Sequence, residues 1–124
     1  MAVASVKTIA QLKDRLVKEL GNWIVSIVLY GSVAKKKAHA NSDIDILLVV
    51  RDDDKRLYDQ ASKMRTKIDL DNNTLTSLVH ISSEELERYI ELGSPFIRSV
   101  AEEGVILYDS GTFKKVRESL VVKG

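Results

Sequence analysis

The sequence predicts an α+β domain, an α/β sandwich in which helices cover a small sheet of roughly four strands. Two runs, WIVSIVLY from Trp23 to Tyr30 and IDILLVV from Ile44 to Val50, are almost unbroken stretches of β-branched, aromatic and aliphatic residues. Strands of that kind are buried on both faces. Segments with apolar residues every three or four positions alternate with them, and no repeat of solenoid or propeller length is present.

The elements follow in order. Val6, Ile9, Leu12, Leu16 and Leu20 mark a first helix, with Thr8 as its expected cap and Gly21 as its exit. The Trp23–Tyr30 strand ends at Gly31, and a polar stretch leads to the second strand. Leu57, Ala61, Met64 and Ile68 give a second helix, whose leading Asp52, Asp53 and Asp54 suit the positive end of its dipole. Asp71, Asn72 and Asn73 read as a turn, and Leu75 to Ile81 as a third strand. Ser82 with Glu85 forms a capping box before Leu86, Tyr89 and Ile90, closed by Gly93. Ser94 followed by Pro95 opens another helix, with Phe96, Ile97 and Val100 as its apolar face and Gly104 as its stop. Val105 to Tyr108 is a short fourth strand, and Phe113, Val116 and Leu120 line a last helix from Thr112.

The 124 residues suit one domain, expected to span 1–124, with 44% hydrophobic and 30% charged residues and a single proline. There is no cysteine, which excludes a disulfide framework and a thiolate metal site. No apolar run reaches the roughly eighteen residues of a spanning helix, and the first eight residues lack the core of a secretory signal, so a cytoplasmic location without membrane attachment is expected. Nineteen basic residues against eighteen acidic ones leave a net charge of +1, too little to draw the whole protein onto nucleic acid. An anionic ligand must be met locally. Exposed strand edges would favour a homo-oligomer.

The stretch that carries chemistry is LYGSVAKKKAHANSDIDILLVV, Leu29 to Val50. Gly31 has no Cβ, so backbone there can approach phosphates, and amides opening a helix after it would point at the anion. Ser32 adds a hydroxyl. Asp43 and Asp45, two apart on a strand, project from one face, where their carboxylates can hold Mg²⁺ bridging substrate phosphates. Ile44 between them points into the core. Ser42 shapes the approach to Asp43, and Lys35 and Lys36 are candidate phosphate contacts. A Gly-Ser turn or an Asp-x-Asp alone is common; a Gly-Ser, nine intervening residues and then Ser-Asp-x-Asp, with apolar strands on both outer sides, is specific.

On Gly31, Ser32, Ser42, Asp43 and Asp45, the sequence resembles the minimal nucleotidyltransferases, small members of the DNA polymerase beta-like superfamily that are often encoded beside a helical HEPN partner. Ser83 to Asp109 resembles the C-terminal half of such proteins. The resemblance implies a mixed sheet and a two-metal site, at which an acceptor attacks the α-phosphate of a nucleoside triphosphate, expected to be ATP, and pyrophosphate leaves. Gly31 and Ser32 would hold phosphates, and Asp43 and Asp45 the metals. It also implies an antitoxin acting on a HEPN-type toxin, with a protein as acceptor.

Two departures from the family stand out. Lys36 follows Lys35 where the family usually has a small glycine after a basic residue. Family enzymes also carry a third carboxylate on the later strand, whereas Leu75 to Ile81 contains no acid. Ser77 stands nearest that position, and Asp69, Asp71 and His80 are the candidate substitutes. A catalytically inactive nucleotide- or partner-binding protein is therefore the alternative to an active transferase.

Overall fold

The computed structural model describes residues 3–31 and 43–123. Helix α1 (Val3–Leu20) leads through a short 3₁₀ turn (Gly21–Trp23) into strand β1 (Ile24–Tyr30). Then come β2 (Ile44–Val50), α2 (Lys55–Asn72), β3 (Thr76–Ser82), α3 (Ser83–Glu91), α4 (Pro95–Glu103), β4 (Val105–Asp109) and α5 (Thr112–Lys123). The sheet runs β3-β2-β1-β4. It is mixed: β1 is antiparallel to β2 and β4, and β2 is parallel to β3 through the α2 crossover. The expected α+β sandwich is therefore present, with helices on both faces of the sheet.

Alternation along the strands divides the core in two. Ile24, Ile27, Leu29, Ile44, Ile46, Leu48 and Val50 pack against the α1 stripe and against Ala61, Met64 and Ile68 of α2. Val25, Val28, Leu47, Val49 and Ile81 meet Leu86 of α3, Ile97, Val100 and Ala101 of α4, and Phe113 of α5. Residues of both faces of β1 and β2 are buried, which is why those strands read as continuous apolar runs.

Most caps fall where the sequence places them. Ser82 and Glu85 form the reciprocal capping box of α3, and the Ser94 hydroxyl accepts from the Ile97 amide with Pro95 at the first helical position. The Asp triplet divides its work. Asp54 caps α2 through the Arg56 amide, Asp53 accepts from the Tyr58 hydroxyl, and the Asp52 carbonyl accepts from Trp23 Nε1.

Several boundaries differ from expectation. Thr8 is not a cap: α1 begins at Val3, and Thr8 is buried mid-helix with its hydroxyl 2.8 Å from that of Thr74. Val6 lies off the buried stripe, half exposed. The first strand begins at Ile24, because Gly21–Trp23 forms the 3₁₀ turn. Helix α2 absorbs Asp71 and Asn72 and ends at Asn73, which takes the left-handed conformation (φ 54°). The third strand accordingly starts at Thr76. Polar tertiary bonds extend this helix: Asn72 donates to Thr8 and Gln11 on α1, and a buried Asp69 accepts from the Thr74 hydroxyl and from the hydroxyl and amide of Thr76.

Asp109, at the end of β4, ties the sheet to α5. One carboxylate oxygen accepts from the buried Ser26 hydroxyl at 2.6 Å and from the Phe113 amide, and the other accepts from the Lys114 amide. Burial pushes its carboxyl up, but the bonds from Ser26, Lys114, Phe113 and Gly111 outweigh it and hold the group below the usual carboxylate range. A depressed folded value contributes stability above the unfolded value, about 3.9, and that contribution is lost as pH falls through the folded one. Asp109→Ala should therefore lower stability by about 1–2 kcal/mol at pH 7. In urea unfolding, the gap from wild type should narrow below about pH 4; a gap independent of pH would mean the carboxylate charge is not what matters.

Candidate nucleotidyl-transfer site

The candidate site is built where β1 ends and β2 begins. The antiparallel register sets Tyr30 opposite Asp45, and the parallel register sets Ser77 of β3 beside Asp45 on its other side. Directly paired residues share a sheet face, so Tyr30, Asp45 and Ser77 point one way while Ile44, 1% exposed, points into the opposite core. Asp43, exposed at the start of β2, lies close enough to Asp45 for their charges to interact.

Gly31 completes the arrangement. Its φ of +76° lies in the left-handed region, and a Cβ built on it would collide with the Asp45 carboxylate. Glycine is thus required twice, by the backbone and by the close approach of a carboxylate from the next strand. The two halves of the sequence motif meet in space here. Ser32, Lys35, Lys36 and Ser42, the remaining residues assigned to the motif, lie outside the described residues.

The electrostatics follow from this crowding. Burial, and then the neighbouring Asp43 charge, push the Asp45 carboxyl above its ordinary value. Burial, and then Asp45, push the Tyr30 hydroxyl up. A cation between the carboxylates would relieve the like-charge repulsion, and two neighbouring hard carboxylates fit a Mg²⁺ ion that keeps several waters and substrate phosphates as its other ligands. No group of three or more His, Asp or Glu able to hold a metal occurs among the described residues.

The substitutes for a third carboxylate do not reach this place. Asp69 is committed to Thr74 and Thr76 at the α2–β3 junction, and Asp71 pairs with Lys67 on α2 at 3.5 Å. His80 pairs in register with Leu48 on the opposite face, where its ring stacks on Tyr58 at a centroid distance of 3.5 Å. Ser77 alone stands beside Asp45 on β3. A cleft of about 410 Å³ between α2 and β3, lined by Tyr58, Ser62, Arg65 and His80, belongs to that opposite face and adjoins the carboxylate side at Ser77.

Tyr30, the neighbour of Asp45, and Phe96, which packs on Tyr30, were not singled out from the sequence. Tyr30 reads only as the last residue of a strand, and Phe96 as part of a buried helix face. In the structure Phe96 is 42% exposed, and its ring meets that of Tyr30 edge-on at 5.3 Å. The available signal was angular: Ile97, Val100 and Ala101 already fill the buried stripe of α4, which leaves Phe96 at its margin.

Comparison with known proteins places this chain in a family. The family model described as a nucleotidyltransferase domain matches residues 9–108. The chain belongs to that family. It is 32% identical over 102 residues to "Putative protein adenylyltransferase MJ0604" of Methanocaldococcus jannaschii, covering 82% of this chain and 96% of the relative. Among solved structures, spectinomycin adenyltransferase AAD(9) from Enterococcus faecialis, with ATP and spectinomycin, superposes with a TM-score of 0.67 at 17% identity, over 89% of this chain and 58% of the other. A toxin-antitoxin structure with AMP-PNP superposes with a TM-score of 0.58 at 20% identity, over 96% and 85%. At these identities the two structures establish the fold. No helix among the described residues is long and apolar enough to cross a membrane.

Two outcomes test the geometry. Asp45 should titrate above about 3.9 by carboxyl-carbon NMR, and Asp43→Asn should bring its midpoint part of the way down, since burial remains; an unmoved midpoint would refute the coupling. Gly31→Ala should lose roughly 1–3 kcal/mol of unfolding free energy from its left-handed backbone alone and displace the Asp45 carboxyl resonance. Wild-type stability in that variant would count against the close approach.

Proposed function

We propose that the chain forms one nucleotidyltransferase domain, which moves the adenylyl group of ATP to a protein acceptor with Mg²⁺ as its metal, acting in the cytoplasm as the antitoxin partner of a helical HEPN-type toxin. The observation that supports this reading is the close approach of the Asp45 carboxylate to Gly31, which joins the two halves of the sequence motif. The relative whose name gives protein adenylyl transfer, and the structural neighbour that is a toxin-antitoxin assembly, support the choice of acceptor and partner.

In the proposed reaction a hydroxyl oxygen of the acceptor forms a bond to the α-phosphorus, the bond from that phosphorus to the bridging oxygen breaks, and pyrophosphate leaves. Bound Mg²⁺ supplies charge neutralisation for the phosphate oxygens. Asp43 and Asp45 would hold it, and Gly31 would let the chain come close to the phosphates. Ser77, too weakly basic at neutral pH to take the acceptor's proton, leaves that proton to solvent or to a group on the acceptor.

The Ser77 position also favours a second reading. With a hydroxyl where the family carries a carboxylate, the domain would bind Mg²⁺–ATP or a partner without transfer. Incubation with ATP labelled at the α-phosphate, Mg²⁺ and extract of the source cell separates the two. Transfer predicts a labelled protein band with wild type and none with Asp45→Asn. Absence of label from all four nucleotides, with Mg²⁺–ATP binding retained, would establish the second reading.

A further inference from the structure

Tyr30 and Phe96 form an aromatic surface beside the carboxylates that neither the motif nor the transfer chemistry accounts for. Tyr30 adjoins the candidate site: it precedes Gly31 in the chain, pairs with Asp45 across the sheet and packs its ring against Phe96. Phe96 sits in the first turn of α4, a position fixed by Pro95 and by the Ser94 cap, so the ring is held by a rigid element. It stays 42% exposed although buried apolar partners, Ile97 and Val100, lie on the same helix. A flat apolar ring left open at the rim of a charged site is suited to a flat, weakly polar ligand group.

We propose that Phe96, backed by Tyr30, is the platform on which the nucleobase of the bound nucleoside triphosphate stacks. The inference rests on the nucleotide reading of the Gly31–Asp45 site. With phosphates at Gly31 and the metal-ligating pair at Asp43 and Asp45, the nucleoside is the remaining part of the ligand, and the Tyr30–Phe96 surface is the apolar wall contiguous with both anchors. Stacking on an aromatic face accepts any base, so the platform contributes affinity and orientation to the nucleoside while leaving the choice of base to other contacts.

The test uses the full chain, Mg²⁺ and two probes: the α,β-methylene analogue of ATP, which cannot be cleaved at the reacting bond, and inorganic triphosphate, which has no base. Phe96→Ala should weaken binding of the analogue roughly fivefold or more, the lower end of what base stacking supplies, and leave triphosphate binding unchanged. Phe96→Trp should keep the analogue's affinity and show fluorescence quenching by the analogue but not by triphosphate. The native Trp23, 8% exposed and packed in the opposite core, does not confuse that signal. Unchanged analogue affinity in Phe96→Ala, or equal weakening of both probes, would overturn the platform while leaving the nucleotide site standing. Failure of wild type to bind either probe would overturn the nucleotide reading, and the platform with it.

Discussion

The pairing of β1 with β2 is the constraint on which the site depends. Their antiparallel register brings Tyr30 to Asp45, and one residue further the chain must turn away without a side chain, because the carboxylate already occupies the space a Cβ would need. A slip of one residue would send Asp45 into the α1–α2 core and Ile44 to the open face. Burying the unpaired carboxylate would cost far more than exposing the isoleucine. The two buried faces of these strands therefore fix the chemistry as firmly as they fix the fold. Ile46, Leu48 and Val50 hold one phase, Leu47 and Val49 the other.

The second strand pair carries the same logic to Ser77. β3 lies parallel to β2, so its register is set by what anchors its start after the α2 crossover. Asp69 does this: a buried carboxylate on the last turns of α2 gathers the hydroxyls of Thr74 and Thr76 and the Thr76 amide, while Thr74 and Asn72 also reach Thr8 on α1. A carboxylate so fully hydrogen-bonded is satisfied where it stands and has no freedom to serve a metal on the other face. Asp69 is thus spent on holding the start of the strand that carries Ser77.

Local signals are legible where a single residue performs a backbone task. Ser82 with Glu85 and Ser94 with Pro95 need nothing from the rest of the fold to be recognised, and both are observed. Reading failed where tertiary contacts recruit a residue with a plausible local role. Thr8 resembles a cap but is spent on Thr74, and Asn72 resembles a turn former but bonds α1 from inside the helix. Phe96 resembles core by its apolarity, yet the stripe of α4 was already filled by its neighbours. The place of Ser77 nearest the carboxylates was legible through the family resemblance, whereas the face taken by His80 depends on strand phase and on the Tyr58 ring that covers it.

The charge balance at the site bears on what a partner must bring. Asp43 and Asp45 carry two negative charges on a rim where Asp45 is already held above its ordinary value by burial and by its neighbour. Without a third acid, a dication leaves this pair near neutrality, so an incoming triphosphate meets less repulsion than it would beside three carboxylates. The same absence removes a base from the acceptor's side. On the proposed reading, a serine beside Asp45 would shift the balance toward holding a nucleotide and away from activating a nucleophile. Proton removal would then fall to the acceptor itself or to a partner presenting it, and assembly with such a partner would govern when transfer occurs.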